Sequence, residues 1–291
     1  MDPAALHQPV LLSEVLTALA LPAGGRVLDC TLGLGGHSEA LLAAGARVQG
    51  VDRDPRALAL ATERLAGFQE RFSTAEGTFA EVAEDAVRRG DRFDGVLADL
   101  GVSSMQLDDH GRGFSFRADV RPDMRMGADG EDALDLIDRL DADSLADIIY
   151  AYGEERLSRR IARALKTARA EGRLETAAQL GEVVRATVPG RHPRHPALRT
   201  FQALRIAVND ELGQLDRLLA VLPDLLAPGG RAVVISFHSL EDRRVKHALR
   251  DHVAAGRLAA AARHPVTATE AEAAENPRSA PAKLRWAEAA S

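Results

Sequence analysis

The chain has 291 residues, of which 46% are apolar and 27% are charged, the balance of a globular protein with a full hydrophobic core. This composition excludes collagen-like, disordered and disulfide-rich proteins. The single cysteine, Cys30, cannot form an intramolecular disulfide, which is typical of a protein of the reducing cytoplasm. No Lys or Arg precedes Arg26, and no apolar run approaches the ~20 residues of a membrane span, so the sequence predicts neither a signal peptide nor a membrane segment.

Charge is unevenly distributed along the chain, whose net charge is −6. Twelve basic and three acidic residues lie between Arg156 and Arg205, which gives this segment a net charge of +9. One strongly basic segment in an acidic chain concentrates affinity for polyanions in one place. The other interpretation is a set of arginine-rich helices that are merely solvated.

Short apolar strands alternate with helices in the first hundred residues. The first helix follows a glycine-rich turn, and the Ala/Leu pattern of 55–65 predicts a second. Strands are predicted over 26–31, 46–51, 72–78 and 93–100. Such alternation is typical of a parallel α/β sheet.

The alternation stops near Met105, and residues 108–130 are predicted to form a loop. Thr176 and Gln179 have the spacing of a capping box at the start of a helix. Helices are predicted over 131–152, 154–170, 176–188 and 201–226, and a strand over 231–237.

The simplest organisation is a sheet domain interrupted by a helical insertion. Its first part is predicted at 1–107, the helical domain at 108–200 and its second part at 201–291.

A glycine turn, Asp29–Ser38 (DCTLGLGGHS), lies where the first strand meets the first helix. Glycines there allow close approach of a ligand, and the helix N-terminus offers N–H groups to a carboxylate or phosphate. Asp52 ends the second strand, where an acidic residue can bind both hydroxyls of a ribose. A dinucleotide fingerprint would have glycine in place of Ser38, and Asp29 suits the amino acid end of S-adenosylmethionine. The pattern favours S-adenosylmethionine over a nicotinamide cofactor; a plain tight turn is the remaining interpretation.

Asp99 ends the fourth strand, at the same edge of the predicted sheet as the glycine turn and Asp52. A carboxylate there can accept an N–H of an exocyclic amine and turn the nitrogen lone pair toward a methyl group. The alternative is that Asp99 contacts only the cofactor or the adjacent loop.

His238, Glu241 and Asp242 follow the last predicted strand. Their spacing matches no standard ligand set, so no metal is predicted, and His238 is expected to form a polar wall of the crevice. A serine hydrolase is disfavoured because the chain has no G-x-S-x-G elbow.

Arginines recur at helical spacing after Gly153: Arg156, Arg159, Arg160 and Arg163. They share one face of a predicted helix whose other face is apolar, an arrangement suited to following nucleic-acid phosphates. Arg191 and Arg194 add positive charge on a loop. Phe114 and Phe116 alternate with arginines on another loop, where they either stack on a base or anchor the loop in the core.

Several stretches resemble the MraW/RsmH methyltransferases, which methylate the N4 of a cytosine in small-subunit ribosomal RNA. The most specific are DLGVSS-x-QLD and RTFQALRIAVN, and the resemblance runs from His7 to Arg285. It implies a class I, Rossmann-like S-adenosylmethionine-dependent methyltransferase sheet with an inserted helical domain. It also implies cofactor contacts by Gly33, Gly35, Gly36, His37, Asp52, Phe79, Asp99 and Gln106.

The substrate implied by the resemblance is the decoding-centre cytosine, in an assembled or assembling small subunit in the cytoplasm. The oligomeric state is not predicted. Two alternatives remain: a methyltransferase of the same fold acting on DNA, transfer RNA or protein, and a non-catalytic RNA-binding or assembly factor.

Overall fold

The structure is a computed structural model that describes residues 9–102, 110–190 and 194–291. Within these ranges eight strands form one sheet in the order β3-β2-β1-β4-β5-β8-β6, with β7 paired to β8. The strands are β1 Arg26–Asp29, β2 Arg47–Asp52, β3 Phe72–Glu76, β4 Phe93–Asp99, β5 Leu226–Ser236, β6 Ala260–Ala261, β7 Val266–Thr267 and β8 Lys283–Glu288. The first five are parallel, and β8 runs antiparallel to β5. The predicted Rossmann-like α/β fold with a mainly parallel sheet is confirmed.

The α-helices of the described residues divide between two compact units. The helices are α1 Leu12–Leu19, α2 Gly36–Ala43, α3 Pro55–Leu65, α4 Phe79–Arg89, α5 Ala133–Arg139, α6 Ala142–Gly153, α7 Ser158–Ala170, α8 Ala177–Thr187, α9 Ala197–Asn209, α10 Glu211–Leu225, α11 Ser239–Ala254 and α12 Glu270–Glu275. The sheet unit comprises the described residues up to Gly101 together with Leu212–Ser291, and the helical unit comprises those from Val102 to Glu211.

The strands are continuous apolar runs because both faces of the sheet are buried. Along β4, Val96 and Ala98 pack into one core with α4, α10 and α11. Leu97, between them, packs into a second core with α1, α2 and α3. Helices therefore cover both faces, as a doubly wound sheet requires. A third core lies wholly within the helical unit.

Some predicted boundaries differ from the structure. The helix expected over 131–152 is two helices, because Leu140 is extended and Asp141 caps a new helix by accepting the Ser144 N–H at 2.7 Å. The helix expected over 201–226 also breaks, at Asp210, whose φ is +48°. The predicted domain boundaries at 107 and 200 lie beyond Gly101 and short of Glu211, because α9 packs on α6 and belongs to the helical unit.

Within the described ranges, none of the helices combines the length and apolar character that a membrane crossing requires.

Candidate functional site

The glycine turn joins β1 to α2 through two left-handed residues. Gly33 and Gly35 have φ values of +51° and +79°, a conformation that disfavours side chains. Gly35 caps α2, and a Cβ on the following Gly36 would lie 2.7 Å from Cγ of Pro9. Backbone conformation and packing therefore both require glycine here, and support for a ligand must come from the side chains around the turn.

Asp52 holds the glycine turn against the end of β2. Its Oδ2 accepts the Gly33 N–H and its Oδ1 accepts the Asp54 N–H, each at 2.9 Å. Burial raises the pKa of this carboxyl, and the two backbone N–H donors oppose that effect. Each carboxylate oxygen can accept a second bond, so Asp52 retains acceptor capacity for hydroxyl groups.

Asp29 links the end of β1 to α2. It is buried; its Oδ2 accepts the Ser38 hydroxyl at 2.6 Å and its Oδ1 accepts the Thr31 N–H at 3.1 Å. Burial raises its pKa, and the Ser38 bond opposes this most. The Ser38 bond joins β1 to α2 and explains why serine occupies position 38. The role of Asp29 toward the amino acid end of S-adenosylmethionine stays a prediction.

Asp99 and His37 face each other at the carboxyl end of β4. Nδ1 of His37 lies 3.7 Å from Oδ2 of Asp99, beyond hydrogen-bond distance. The other nitrogen, Nε2, lies 2.9 Å from the Val10 carbonyl and donates to it, which leaves Nδ1 of the neutral ring without a proton. The Asp99 N–H donates to Oγ1 of Thr31 at 2.7 Å and fixes the end of the strand.

One oxygen of the Asp99 carboxyl is buried and has no partner among the described residues. The side chain is 23% exposed, yet Oδ1 is buried and accepts no hydrogen bond from the residues that the structure describes. Burial raises the pKa of Asp99 to about 6, and His37 opposes that rise. A buried acceptor of this kind is costly unless a donor reaches it.

The structure describes only some of the other predicted site residues. Phe79 begins α4 directly after its capping residue Thr78 and packs half-buried against the sheet core. The Gly77 N–H donates to the Asp52 carbonyl at 3.1 Å, so the loop before α4 runs beside Asp52. Gln106 and Arg191 lie outside the described residues.

His238 is the N-cap of α11. Its Nδ1 accepts the Glu241 N–H at 3.4 Å, and the Glu241 carboxylate accepts the Phe237 N–H at 2.8 Å. Asp242 instead binds Nε of the buried Arg285 at 2.7 Å. The local geometry of this segment is therefore that of a capped helix tied to β8.

The four arginines predicted on one helix face are exposed and line one groove of the helical unit. Arg156 lies in the turn before α7, which begins only at Ser158, so three of the four are on the helix. The groove has a volume of about 640 Å³, and the other side chains at its wall include Asp147 and Tyr150. Arg159 is ion-paired with Asp143 at 3.4 Å and Asp147 at 3.6 Å. Arg156, Arg160 and Arg163 have no acidic partner among the described residues.

Most other basic side chains between Arg156 and Arg205 form ion pairs within the protein. Acidic partners hold Arg169, Arg173, Arg185, Arg199 and Arg205. The local charge of +9 therefore overstates the free positive charge, which is concentrated at the groove, with the exposed Arg194 on a loop.

The loop aromatics anchor the helical unit. Phe114 and Phe116 pack against its core, and the Phe116 ring stacks on His195 with ring centroids 4.1 Å apart. Of the two interpretations of this loop, the structure favours the core anchor. The stacking partner was not predictable, because it lies 79 residues away in the chain.

Comparison with known proteins identifies relatives along nearly the whole chain. A model of the MraW methylase family matches residues 4–290. Ribosomal RNA small subunit methyltransferase H of Sorangium cellulosum is 53% identical, covering 97% of this chain and 90% of the relative. The proteins of the same name from Gloeobacter violaceus and Gluconobacter oxydans are 50% and 48% identical; the matches cover 97% and 96% of this chain, and 88% and 92% of the relatives.

Proposed function

The chain belongs to the MraW methylase family, and we propose that it transfers a methyl group from S-adenosylmethionine to the exocyclic N4 of a cytosine in the decoding centre of 16S ribosomal RNA. The relatives are named as small-subunit ribosomal RNA methyltransferases. The observation that carries the proposal is Oδ1 of Asp99, a buried acceptor without a partner among the described residues. An amine N–H is a donor suited to that oxygen.

The residues around the glycine turn fit S-adenosylmethionine. Asp52 would accept the two ribose hydroxyls with the lone pairs that its backbone bonds leave free. Gly33, Gly35 and Gly36 would allow close approach to the turn, with Phe79 and Gln106 as further contacts. When bound, S-adenosylmethionine supplies the methyl group as an electrophile attached to a sulfonium.

Asp99 would orient the amine for attack. The N4 lone pair of cytosine is delocalised into the ring, so placing the reacting atoms about 3–3.5 Å apart and in line is the main requirement. Asp99 would accept one amine N–H through Oδ1 and stabilise the positive charge that develops on nitrogen as the N–C bond forms and the C–S bond breaks. The nitrogen becomes acidic during that step, so it can release its proton late, without a strong base.

His37 would act on the reaction through Asp99. Its Nε2 is held by the Val10 carbonyl, so Nδ1 is directed at the Asp99 carboxyl. His37 lowers the Asp99 pKa and so would favour the carboxylate form that accepts the amine.

The helical unit would bind the RNA. Its exposed groove arginines Arg156, Arg159, Arg160 and Arg163, with Arg191 and Arg194, would contact phosphates.

The target base must leave its stack to reach a buried acceptor, so we expect it to be flipped out. The substrate would be ribosomal RNA within a small subunit or its assembly intermediate, in the cytoplasm.

The test is methylation of small subunits that lack the modification. Purified protein is incubated with labelled S-adenosylmethionine and either intact subunits or free 16S transcript. The RNA is then digested, and the modified nucleoside is identified by mass spectrometry against N4-methyl, C5-methyl and 2′-O-methyl standards. N4-methylcytidine at one position is expected, formed more slowly by Asp99→Ala, by about 10²-fold or more.

Two results would favour the alternatives. A product on transfer RNA, DNA or protein, with none on the subunit, would assign another substrate to the same fold. Binding of RNA together with failure to bind S-adenosylmethionine in calorimetry would indicate a non-catalytic RNA-binding protein.

A further inference from the structure

The groove of the helical unit combines free positive charge with an exposed aromatic ring. It lies where the end of α6 meets the start of α7, and its floor includes Leu157 and Ser158. Tyr150, on α6, is 62% exposed, the highest value among the large apolar side chains of the described residues. Because the ring lies beside a groove lined by arginines, its apolar face and its hydroxyl are both accessible to a ligand bound there.

The positive charge of the groove is available to a ligand. Arg156, Arg160 and Arg163 are exposed and have no acidic partner in the part of the chain that the structure describes. Arg159, one helical turn before Arg163, differs because it is ion-paired with Asp143 and Asp147. Three uncompensated guanidinium groups at one groove favour an anion that repeats along its length, such as a phosphate backbone.

The face of the Tyr150 ring is also available. Cation–π contacts of the described residues involve rings elsewhere, including those of Phe68 and Phe93, and none involves Tyr150. Nucleic-acid bases present π-faces of matching size, and stacking on an aromatic side chain tolerates any base sequence. A base already stacked within a duplex has no free face to offer, so the tyrosine selects an unpaired base.

We propose that this groove binds single-stranded RNA, with one unpaired base stacked on Tyr150 and the adjacent phosphates held by Arg156, Arg160 and Arg163. This rests on the proposed function for the choice of RNA as the polyanion, and it assigns the class of RNA element that the helical unit recognises. An acidic peptide would use the arginines but not the ring face, so single-stranded RNA accounts for both observations.

The experiment compares Tyr150→Ala with Tyr150→Phe in the full-length protein. Affinities are measured by fluorescence anisotropy for a labelled single-stranded oligoribonucleotide and for a duplex of the same sequence. Tyr150→Ala is expected to weaken single-strand binding about 5- to 100-fold and to leave duplex binding unchanged. Tyr150→Phe keeps the ring and should bind like the unmodified protein. Leu198→Ala, another exposed apolar truncation in the same unit, is the matched control.

A second readout locates the base directly. Single-stranded RNA carrying 5-iodouridine is irradiated with the protein, and the crosslinked peptide is identified by mass spectrometry. A crosslink at Tyr150 is expected. Equal single-strand binding by Tyr150→Ala and the unmodified protein would overturn the inference. Displacement of the RNA by polyglutamate at equal charge concentration would also overturn it, in favour of an acidic protein partner.

These outcomes separate the inference from the proposed function. Because binding is measured without methyl transfer, loss of the Tyr150 effect in an enzyme that still methylates the subunit refutes only the stacking site. A Tyr150 effect in a protein that methylates no subunit RNA refutes only the proposed reaction. Unchanged thermal unfolding and S-adenosylmethionine affinity of the variants show that the exposed substitution left both units folded.

Discussion

His37 connects Asp99 to the N-terminal segment of the chain: Nδ1 lies 3.7 Å from Oδ2 of Asp99, and Nε2 donates to the Val10 carbonyl at 2.9 Å. The next residue, Leu11, donates its N–H to Oε1 of Glu272 at 2.7 Å, so α12 holds the segment that orients the imidazole. The ring cannot rotate without losing the Val10 bond. Its free nitrogen is therefore fixed toward the one carboxyl on which the proposed reaction depends.

Replacing Asp99 should impair turnover more than cofactor binding. Asp99→Asn keeps an acceptor oxygen but loses the charge that stabilises positive charge on nitrogen, and Asp99→Ala loses both. We expect Asp99→Ala to be the worse variant, with kcat reduced about 10²-fold or more at saturating S-adenosylmethionine. Single-turnover methylation and calorimetry measure the two effects separately. Normal turnover of Asp99→Ala would show that Asp99 does not accept the amine N–H.

Activity should fall as the pH is lowered through about 6. Asp99 has a pKa raised by burial to about 6, and protonation below that pH removes the negative acceptor. His37 lowers the Asp99 pKa, so His37→Gln should move the acid limb of the kcat/KM profile to higher pH. Glutamine offers an N–H donor for the Val10 carbonyl. An acid limb at the same pH in Asp99→Asn would show that another group titrates.

The same raised pKa predicts a pH-dependent gain in stability for Asp99→Asn. In the folded protein the carboxyl binds its proton more tightly than in the unfolded chain, so its contribution is favourable below pH 3.8 and is lost as the pH rises through about 6. At pH 8 the neutral amide should raise the free energy of unfolding by about 3 kcal/mol. Urea unfolding at pH 8 and pH 4.5 checks this, and a gain that is equal at both pH values would contradict it.

Local signals made much of the sheet unit predictable. The strand that ends at Asp52 and the helix over 55–65 lie where the sequence placed them, because apolar strands and a Pro at the first helical position depend on neighbouring residues alone. The capping box of Thr176 and Gln179 is likewise present. The glycine turn, Asp52 and Asp99 were recognisable because parallel strands bring their carboxyl ends to one edge.

Features that depend on distant partners were missed. The strand β8 carries Arg285, which is buried because it pairs with Asp242, 43 residues earlier, and this hides the apolar alternation of the strand. The break at Asp210 interrupts an apolar pattern that continues on both sides of it. Arg159 is ion-paired with α6, and Tyr150 is exposed beside it. Both features depend on how α6 and α7 pack, so neighbouring residues in the sequence could not predict them.

Asp52→Ala should weaken S-adenosylmethionine binding by about 1.5–3 kcal/mol, because two hydroxyls lose a charged acceptor. The Gly33 N–H would lose its partner as well, so part of the effect would come from a looser turn. Calorimetry measures the affinity, with the exposed Glu63→Ala on α3 as the charge-matched control. Unchanged affinity in Asp52→Ala would remove this residue from the site.

The unpaired arginines should govern the salt dependence of RNA binding. Replacing Arg156, Arg160 and Arg163 with Gln removes up to three phosphate contacts, and each lost contact with a single strand should flatten the log–log salt slope by about 0.7. A combined flattening of up to about 2 is therefore expected, with binding weakened for all RNA sequences. Filter binding from low to high salt gives the slope, and cofactor affinity should stay constant because Asp52, the proposed ribose contact, lies on the sheet unit.

Arg185→Gln is the matched control for this series. Arg185 is equally exposed and lies on the same unit, but Glu182 neutralises it, so its loss should leave the slope close to that of the unmodified protein. Arg159→Gln should give an intermediate result, because two carboxylates compete with phosphate for its guanidinium. If the triple variant and Arg185→Gln changed the slope equally, the groove arginines would be a solvated face, and the positive charge that attracts RNA would have to lie elsewhere on the chain.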